Sequence, residues 1–211
     1  MSTLLRKIEE GEHQQQDFKH QITDSRKIAR TLSAFANTDG GRLLIGVKDN
    51  GNISGVNSHE EIHMIEAAAD FYSTPAIDVQ YQHHKIGSKE ILEAIVQPSV
   101  SKPHFVKEKE GKNVAYFRKN DENFPASGVL IKYWKYHKKE ALTIEFKEKE
   151  EQLLTFLREN PYITVKRYAA LAKVSFIRAE DLLATFMHWG IVNWHFNGKF
   201  FEYSLSGKIY S

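Results

Sequence analysis

Residues 33–56, SAFANTDGGRLLIGVKDNGNISGV, constrain this chain more than any other stretch. Just upstream, Ile28, Leu32 and Phe35 fall at i, i+4 and i+7, the spacing of a helix with one apolar face. Asn37-Thr38-Asp39-Gly40-Gly41 ends that helix, because paired glycines accept positive φ without Cβ strain. Leu43 to Val47 is then an almost unbroken apolar strand, and Asn50-Gly51 supplies the residue types that a tight hairpin turn demands. The expectation is a compact αββ unit.

With Glu12, Asp17, Phe18 and Lys19 upstream, the text resembles the Schlafen AlbA-like domain, whose pattern runs E-x4-EFK, then AFANT-x-GG-x-LLIGV-x-D-x-G-x-I-x-G. The resemblance covers the first two-thirds of the chain and implies a nucleic-acid-binding module. Two departures stand out: Asp17 replaces the usual Glu, and Gln14-Gln15-Gln16 precedes it. Schlafen-type ribonucleases hold a divalent metal with three acidic residues. The resemblance would place these on Glu12, Asp17 and Asp49, with Lys19 steadying a phosphate and Mg²⁺ or Mn²⁺ as the ion. The same residues also read as solvated strand ends and turn positions, with Asp49 serving the turn at Asn50-Gly51. No other cofactor is expected. Asp49-Asn50-Gly51 is similar to one box of histidine-kinase-like ATPases, but Ile53 stands where that box needs glycine and no G-x4-G-K-[ST] loop exists, so ATP is not expected.

A chain of 211 residues, 41% hydrophobic and 27% charged, can bury a core of one large domain or of one medium and one small domain. No long apolar run marks a membrane span, and Met1 to Glu10 lacks a secretory signal, so a cytoplasmic location without membrane contact is expected. The absence of cysteine excludes disulfides, thiolate zinc sites and a cysteine nucleophile. A net charge of +2 means that nucleic-acid binding must rest on a local basic face. The ten histidines show no ligand spacing; His83 and His84 are strand neighbours that point to opposite faces.

Elements follow from caps and periodicity. Leu4 to Glu10 reads as a helix and Gln15 to Lys19 as a strand, and Asp24 or Ser25 caps the helix ending near Asn37. A helix from Ser58 to Phe71 is expected, with Ser58 and Glu61 as a capping box. Strands follow at Ile77–Lys85, Glu90–Val96, His104–Val106 and Val114–Arg118, then a closing helix over Pro125–Tyr136. The fold class is therefore α+β: a mixed α/β domain over residues 1–140 and a smaller domain over 141–211, with the charged segment Lys138 to Lys149 at the boundary. In the smaller domain, helices at Glu150–Asn160, Thr164–Lys173 and Ser175–His188 precede a hairpin through Asn197-Gly198, the order of a winged helix-turn-helix.

Basic residues point to the partner. Arg26, Lys27 and Arg30 lie on the polar face of the first long helix, while Lys107, Lys109, Lys112, Arg118 and Lys119 crowd a later hairpin, with Lys102 before it. Lys132, Lys135, Lys138 and Lys139 are interleaved with Tyr133, Trp134 and Tyr136. Such cations engage phosphates, and interleaved rings stack on bases. In the winged domain Ser175, Arg178 and Thr185 are expected to face outward and Ile177, Leu182, Leu183 and Phe186 inward. Lys166, Arg167 and Lys173 flank that helix, and Lys199 sits on the wing. Glu180 and Asp181 would repel phosphates there. The expected function is nucleic-acid binding, DNA first, as a bacterial transcriptional regulator, with base reading by Arg178. The alternatives are a metal-dependent nuclease acting on structured RNA and a non-catalytic protein-interaction module. A homodimer fits such a regulator, although no heptad seam declares one.

Overall fold

A computed structural model describes residues 3–136 and 146–207. The chain divides into two compact units, Met1–Ala126 and Ser127–Ser211. The expectations made for Lys138 and Lys139 lie outside the described residues.

The first unit is built around helix α2, Ser25–Asn37, whose N-cap Asp24 accepts the backbone N–H groups of Arg26 and Lys27. Its apolar face packs on a four-stranded sheet in the order β1-β2-β5-β4. Strand β1, Gln16–Lys19, runs parallel to β2, Gly41–Ile45; β5, Lys89–Val96, is antiparallel to both β2 and β4, Gln80–Ile86. Ile28, Leu32 and Phe35 share a core with Leu43, Ile45, Leu92 and Ala94. Leu44 points the other way and joins Phe18, Val47 and Ile91 beneath Leu4 and Ile8 of helix α1, Thr3–Glu10. The run Leu43 to Val47 is unbroken because both faces of its strand are covered.

Helix α2 also packs on a second antiparallel sheet: β3, Ser73–Thr74; β6, Phe105–Lys107; β7, Asn113–Lys119; and β8, Glu122–Pro125. Here its polar residues matter. The Asn37 amide donates to the carbonyls of His104 and Tyr116 at 3.0 and 2.9 Å and accepts the His104 N–H at 2.8 Å, while the Ser33 hydroxyl donates to the His104 carbonyl. Spaced four apart, the two side chains satisfy backbone groups that would otherwise be buried unpaired. Gly40 ends the helix at φ +71°, and a Cβ on Gly41 would run into the Phe35 ring.

Several expectations shift. The turn at Asn50-Gly51 forms, but only a single Val47–Ile53 bridge follows it instead of a second strand. Both edges of β2 are already taken, by β1 and β5, so the returning segment has nothing to pair with along β2. Helix α3, Ser58–Glu66, is capped by Asn57 and not by Ser58, and Glu61 accepts the Ile22 N–H at 2.9 Å instead of closing a capping box. Its expected last turn widens into a π turn, Ala67–Phe71. Strand β8 was not anticipated.

The second unit holds α4, Gly128–Tyr136; α5, Glu148–Glu159; α6, Val165–Leu171; α7, Phe176–His188; and the hairpin β9–β10, Val192–Phe196 and Phe201–Leu205. Helices α4 and α6 pack on α7. Leu153, Leu157, Tyr168, Leu182, Leu183, Phe186, Val192 and Tyr203 are buried, and Ile163 and Tyr203 exchange backbone hydrogen bonds on the outer edge of β10. Two orientations on α7 are reversed from expectation. The buried stripe Ala179, Leu182, Leu183 and Phe186 sets the helix phase, which leaves Ile177 67% exposed and turns Thr185 inward. Thr185 tolerates burial because its hydroxyl donates to the Asp181 carbonyl at 2.8 Å. Among the described residues no helix is long and apolar enough to cross a membrane.

Candidate nucleic-acid interface

Strand β1 places Asp17 and Lys19 two residues apart, so both project from one side of the strand, and Lys19 Nζ lies 2.9 Å from Asp17 Oδ1. Glu12 sits just before β1; its Oε1 accepts the Phe18 N–H at 2.8 Å and its carboxyl hydrogen-bonds Asp17. Burial, reinforced by the Asp17 hydrogen bond, pushes the Glu12 carboxyl up to about 7. Burial also works against Asp17, but Glu12, Lys19 and Arg118 outweigh it and hold this carboxyl below its ordinary range. The two carboxyls therefore titrate as a pair, with Glu12 the more readily protonated of the two.

Asp49 does not join them. It is exposed in the turn before Asn50-Gly51, and among the described residues no group of three or more acidic, histidine or cysteine side chains is placed to hold a metal ion. A hard divalent cation needs several oxygen donors converging on one point, whereas Asp49 stands apart from Glu12 and Asp17, and Asp17 already faces Lys19 and Arg118. Glu12, Asp17 and Asp49 therefore do not fit the metal that the Schlafen-type nucleases imply.

Arg118 is the main correction among the cations. Its side chain is wholly buried. Nε donates to the His13 carbonyl at 3.2 Å, Nη2 to the Gln16 carbonyl at 3.0 Å and Nη1 to Asn123 Oδ1 at 3.0 Å, with the guanidinium over the Phe35 ring. It holds the fold together and offers nothing to a phosphate. The glutamine tract beside it is structural too. Gln14 bridges Asp39, the Arg118 carbonyl and the Asn120 N–H; Gln15 donates to the Asp39 carbonyl; and Gln16 donates to the carbonyls of Lys7 and Gly11.

Other expected contacts divide by what surrounds them. Arg30 is held by Glu108 in a fork at 2.7 and 2.6 Å, and Lys112 lies 3.4 Å from Glu110. Lys102 is turned inward onto the Thr38 carbonyl, and burial pushes its ammonium below the usual range. Lys27, Lys107 and Lys109 are exposed, and Lys119 is half-buried at the end of β7. Arg26 lies over the Tyr72 ring at 5.0 Å, Tyr72 meets Phe71 edge to face at 5.1 Å, and Lys107 Nζ stands 5.4 Å from the Phe71 centroid. The aromatic pair thereby links cations from α2 to those of β6. Sequence reading missed Phe71 and Tyr72, since AAADFY reads as a helix running on. The one available signal was two aromatics directly after an alanine-rich turn.

In the second unit Lys166, Arg167, Lys173, Arg178 and Lys199 are all exposed. Arg167 lies over the Phe156 ring, Lys199 lies over the Phe200 ring, and Arg178 Nη2 is 4.0 Å from Glu150 Oε1. Glu180 and Asp181, expected to repel phosphates, share Lys132 at 3.2 and 2.8 Å, which offsets one of their two charges. Phe176, Ile177 and Phe200 are exposed as well, and Phe176 and Phe200 line an apolar groove with Val165 and Tyr203.

No curated protein matches the chain. Among solved structures, the crystal structure of the DIP2311 protein of Corynebacterium diphtheriae matches at 18% identity with a TM-score of 0.44, over 69% of this chain and 29% of that one. The solution structure of the N-terminal domain of a Nitrosomonas europaea protein related to the ATP-dependent DNA helicase RecG matches at 18% identity with a TM-score of 0.40, over 69% of this chain and 95% of that one. The chain thus spans under a third of the corynebacterial protein. The model of the Schlafen, AlbA_2 family matches residues 12–127, more than half of the chain and nearly all of the first unit. The chain belongs to the Schlafen, AlbA_2 family.

Proposed function

We propose that the chain binds nucleic acid, DNA in the first place, as a transcriptional regulator in which the Schlafen, AlbA_2 unit is followed by a winged helix-turn-helix. The observation that carries the reading is the set of exposed cations on adjoining elements of each unit. Lys107 lies beside the Phe71–Tyr72 pair in the first unit, with Lys27 and Lys109 exposed nearby in sequence, and in the second Lys166 and Arg167 open α6, Lys173 sits in the α6–α7 turn and Arg178 in the first turn of α7. Lysines and arginines so placed anchor phosphates, and Arg178, in the first turn of α7, is positioned as a base reader. The order α5, α6, α7, β9, β10, with Ile163 pairing to the outer edge of the hairpin, supports the winged assignment. Lys132, shared by Glu180 and Asp181, offsets one of their two negative charges and so lessens the electrostatic objection to it.

Titration of labelled DNA tests the proposal. Affinity is expected to fall at least tenfold between roughly 50 and 200 mM salt, and the substitution of Lys166 and Arg178 by glutamine to weaken it further. Absence of binding at low salt refutes it. A second reading, in which the second unit docks a protein, is favoured by the exposure of Phe176, Ile177 and Phe200. DNA binding that is indifferent to Lys166 and Arg178 would select that reading for the unit.

A further inference from the structure

Phe71 ends the π turn Ala67–Phe71 and is 66% exposed, although Ala68 and Ala69 in the same turn are buried. Widened turns of this kind frequently accompany functional positions. The ring is nonetheless fixed. The Phe71 carbonyl accepts Lys107 Nζ at 2.9 Å, the next carbonyl, of Tyr72, accepts the Lys107 N–H at 2.8 Å, and the Tyr72 ring braces Phe71 at 87° while packing on the core. Around this ring stand Lys107 and, beyond Tyr72, Arg26, with Lys27 and Lys109 exposed next to them in sequence. Arg26 Nε is buried with no hydrogen-bond partner, so its guanidinium is held by stacking on Tyr72. Acids stand here too: Glu108, held by Arg30 and Tyr116, also attracts Arg26, Glu110 faces Lys112, and Asp70 and Glu66 are exposed.

We infer that Phe71 is a base-stacking platform for single-stranded nucleic acid, with Lys107, Arg26 and Lys27 taking the flanking phosphates. Bases in a duplex are already stacked on one another and offer only their edges, whereas an unpaired base presents a π face to a rigid, exposed ring. Cations beside such a ring are what a single strand's closely spaced phosphates require. The inference rests on the nucleic-acid reading above and adds the class of ligand and the residue that selects it.

The full chain, as wild type, Phe71→Ala and Phe71→Trp, is titrated by fluorescence anisotropy against labelled oligothymidylate of about 12 nucleotides and a duplex of equal length. Phe71→Ala is expected to weaken single-strand binding about tenfold while leaving duplex affinity and the melting temperature unchanged, and Phe71→Trp to retain it. Equal single-strand affinities for wild type and Phe71→Ala overturn the inference alone, provided the wild type binds at least one ligand. No binding to either ligand overturns the nucleic-acid reading and the inference together.

Discussion

A guanidinium without contact to water needs a partner for each of its edges, and Arg118 finds them in two carbonyls, one amide and an aromatic face. Replacing it by Met keeps the volume but removes the second donor to the His13 and Gln16 carbonyls and the donor to Asn123 Oδ1, and leaves Asp17 with a weaker countercharge. Arg118→Met is therefore expected to cost about 3 kcal/mol, read from the urea midpoint. Nothing in the local text YFRK separates this arginine from a surface one, since its partners lie at the other end of the domain, so the sequence led to the wrong role. Glu12 makes a second prediction. Its folded value, about 7, lies above the unfolded carboxylate value of 4.5, so the folded state holds the extra proton between the two and loses stability as pH rises through that window. Glu12→Gln keeps an acceptor for Phe18 and a donor for Asp17 without a titrating proton. It is expected to be more stable than wild type at pH 8 by about 1 kcal/mol, after allowance for solvent screening, and indistinguishable at pH 4.5, as thermal melts at both pH values will show.

At the level of elements, the stretch from Asp24 to Ile45 was readable because each signal is local: a cap, an apolar spacing, a glycine pair, a strand run. Gly41→Ala tests the least obvious of these, since the new methyl meets the Phe35 ring; a loss of about 1–3 kcal/mol in denaturant unfolding is expected. What escaped was decided by partners. The segment after Asn50-Gly51 reads as a strand but finds β2 already paired on both edges; Asn57, one residue earlier than expected, caps the next helix, and Glu61 serves Ile22. Helix α7 was located correctly and rotated wrongly, because Ile177 is apolar and Thr185 polar, while four other residues set the phase. Ile177→Ser should change stability by no more than about 0.5 kcal/mol, whereas Leu183→Ala should cost about 2–5 kcal/mol, in the same urea experiment. Of the candidate interface, composition and charge showed the cations but not which were already paired, nor the ring at Phe71 that links them.

Across the whole molecule, each compact unit buries residues of its own, and both hydrophobic clusters of the first unit lie wholly within Met1–Ala126. Helix α1 lies upstream of the family match yet is part of that core, through Leu4, Ile8 and the 2.7 Å pair of Lys7 with the buried Glu93. A fragment of residues 1–126 is expected to unfold cooperatively by circular dichroism, and one of residues 12–126, which strips the cover from Phe18, Leu44 and Ile91 and leaves Glu93 to His84 and Arg42 alone, to melt at a markedly lower temperature. The bonds from Arg118 to His13 and Gln16 close loops of 105 and 102 residues. On the ribosome, the amino-terminal strand therefore emerges long before the side chain that clasps it, and this half of the protein completes its folding only when the last hairpin has left the exit tunnel.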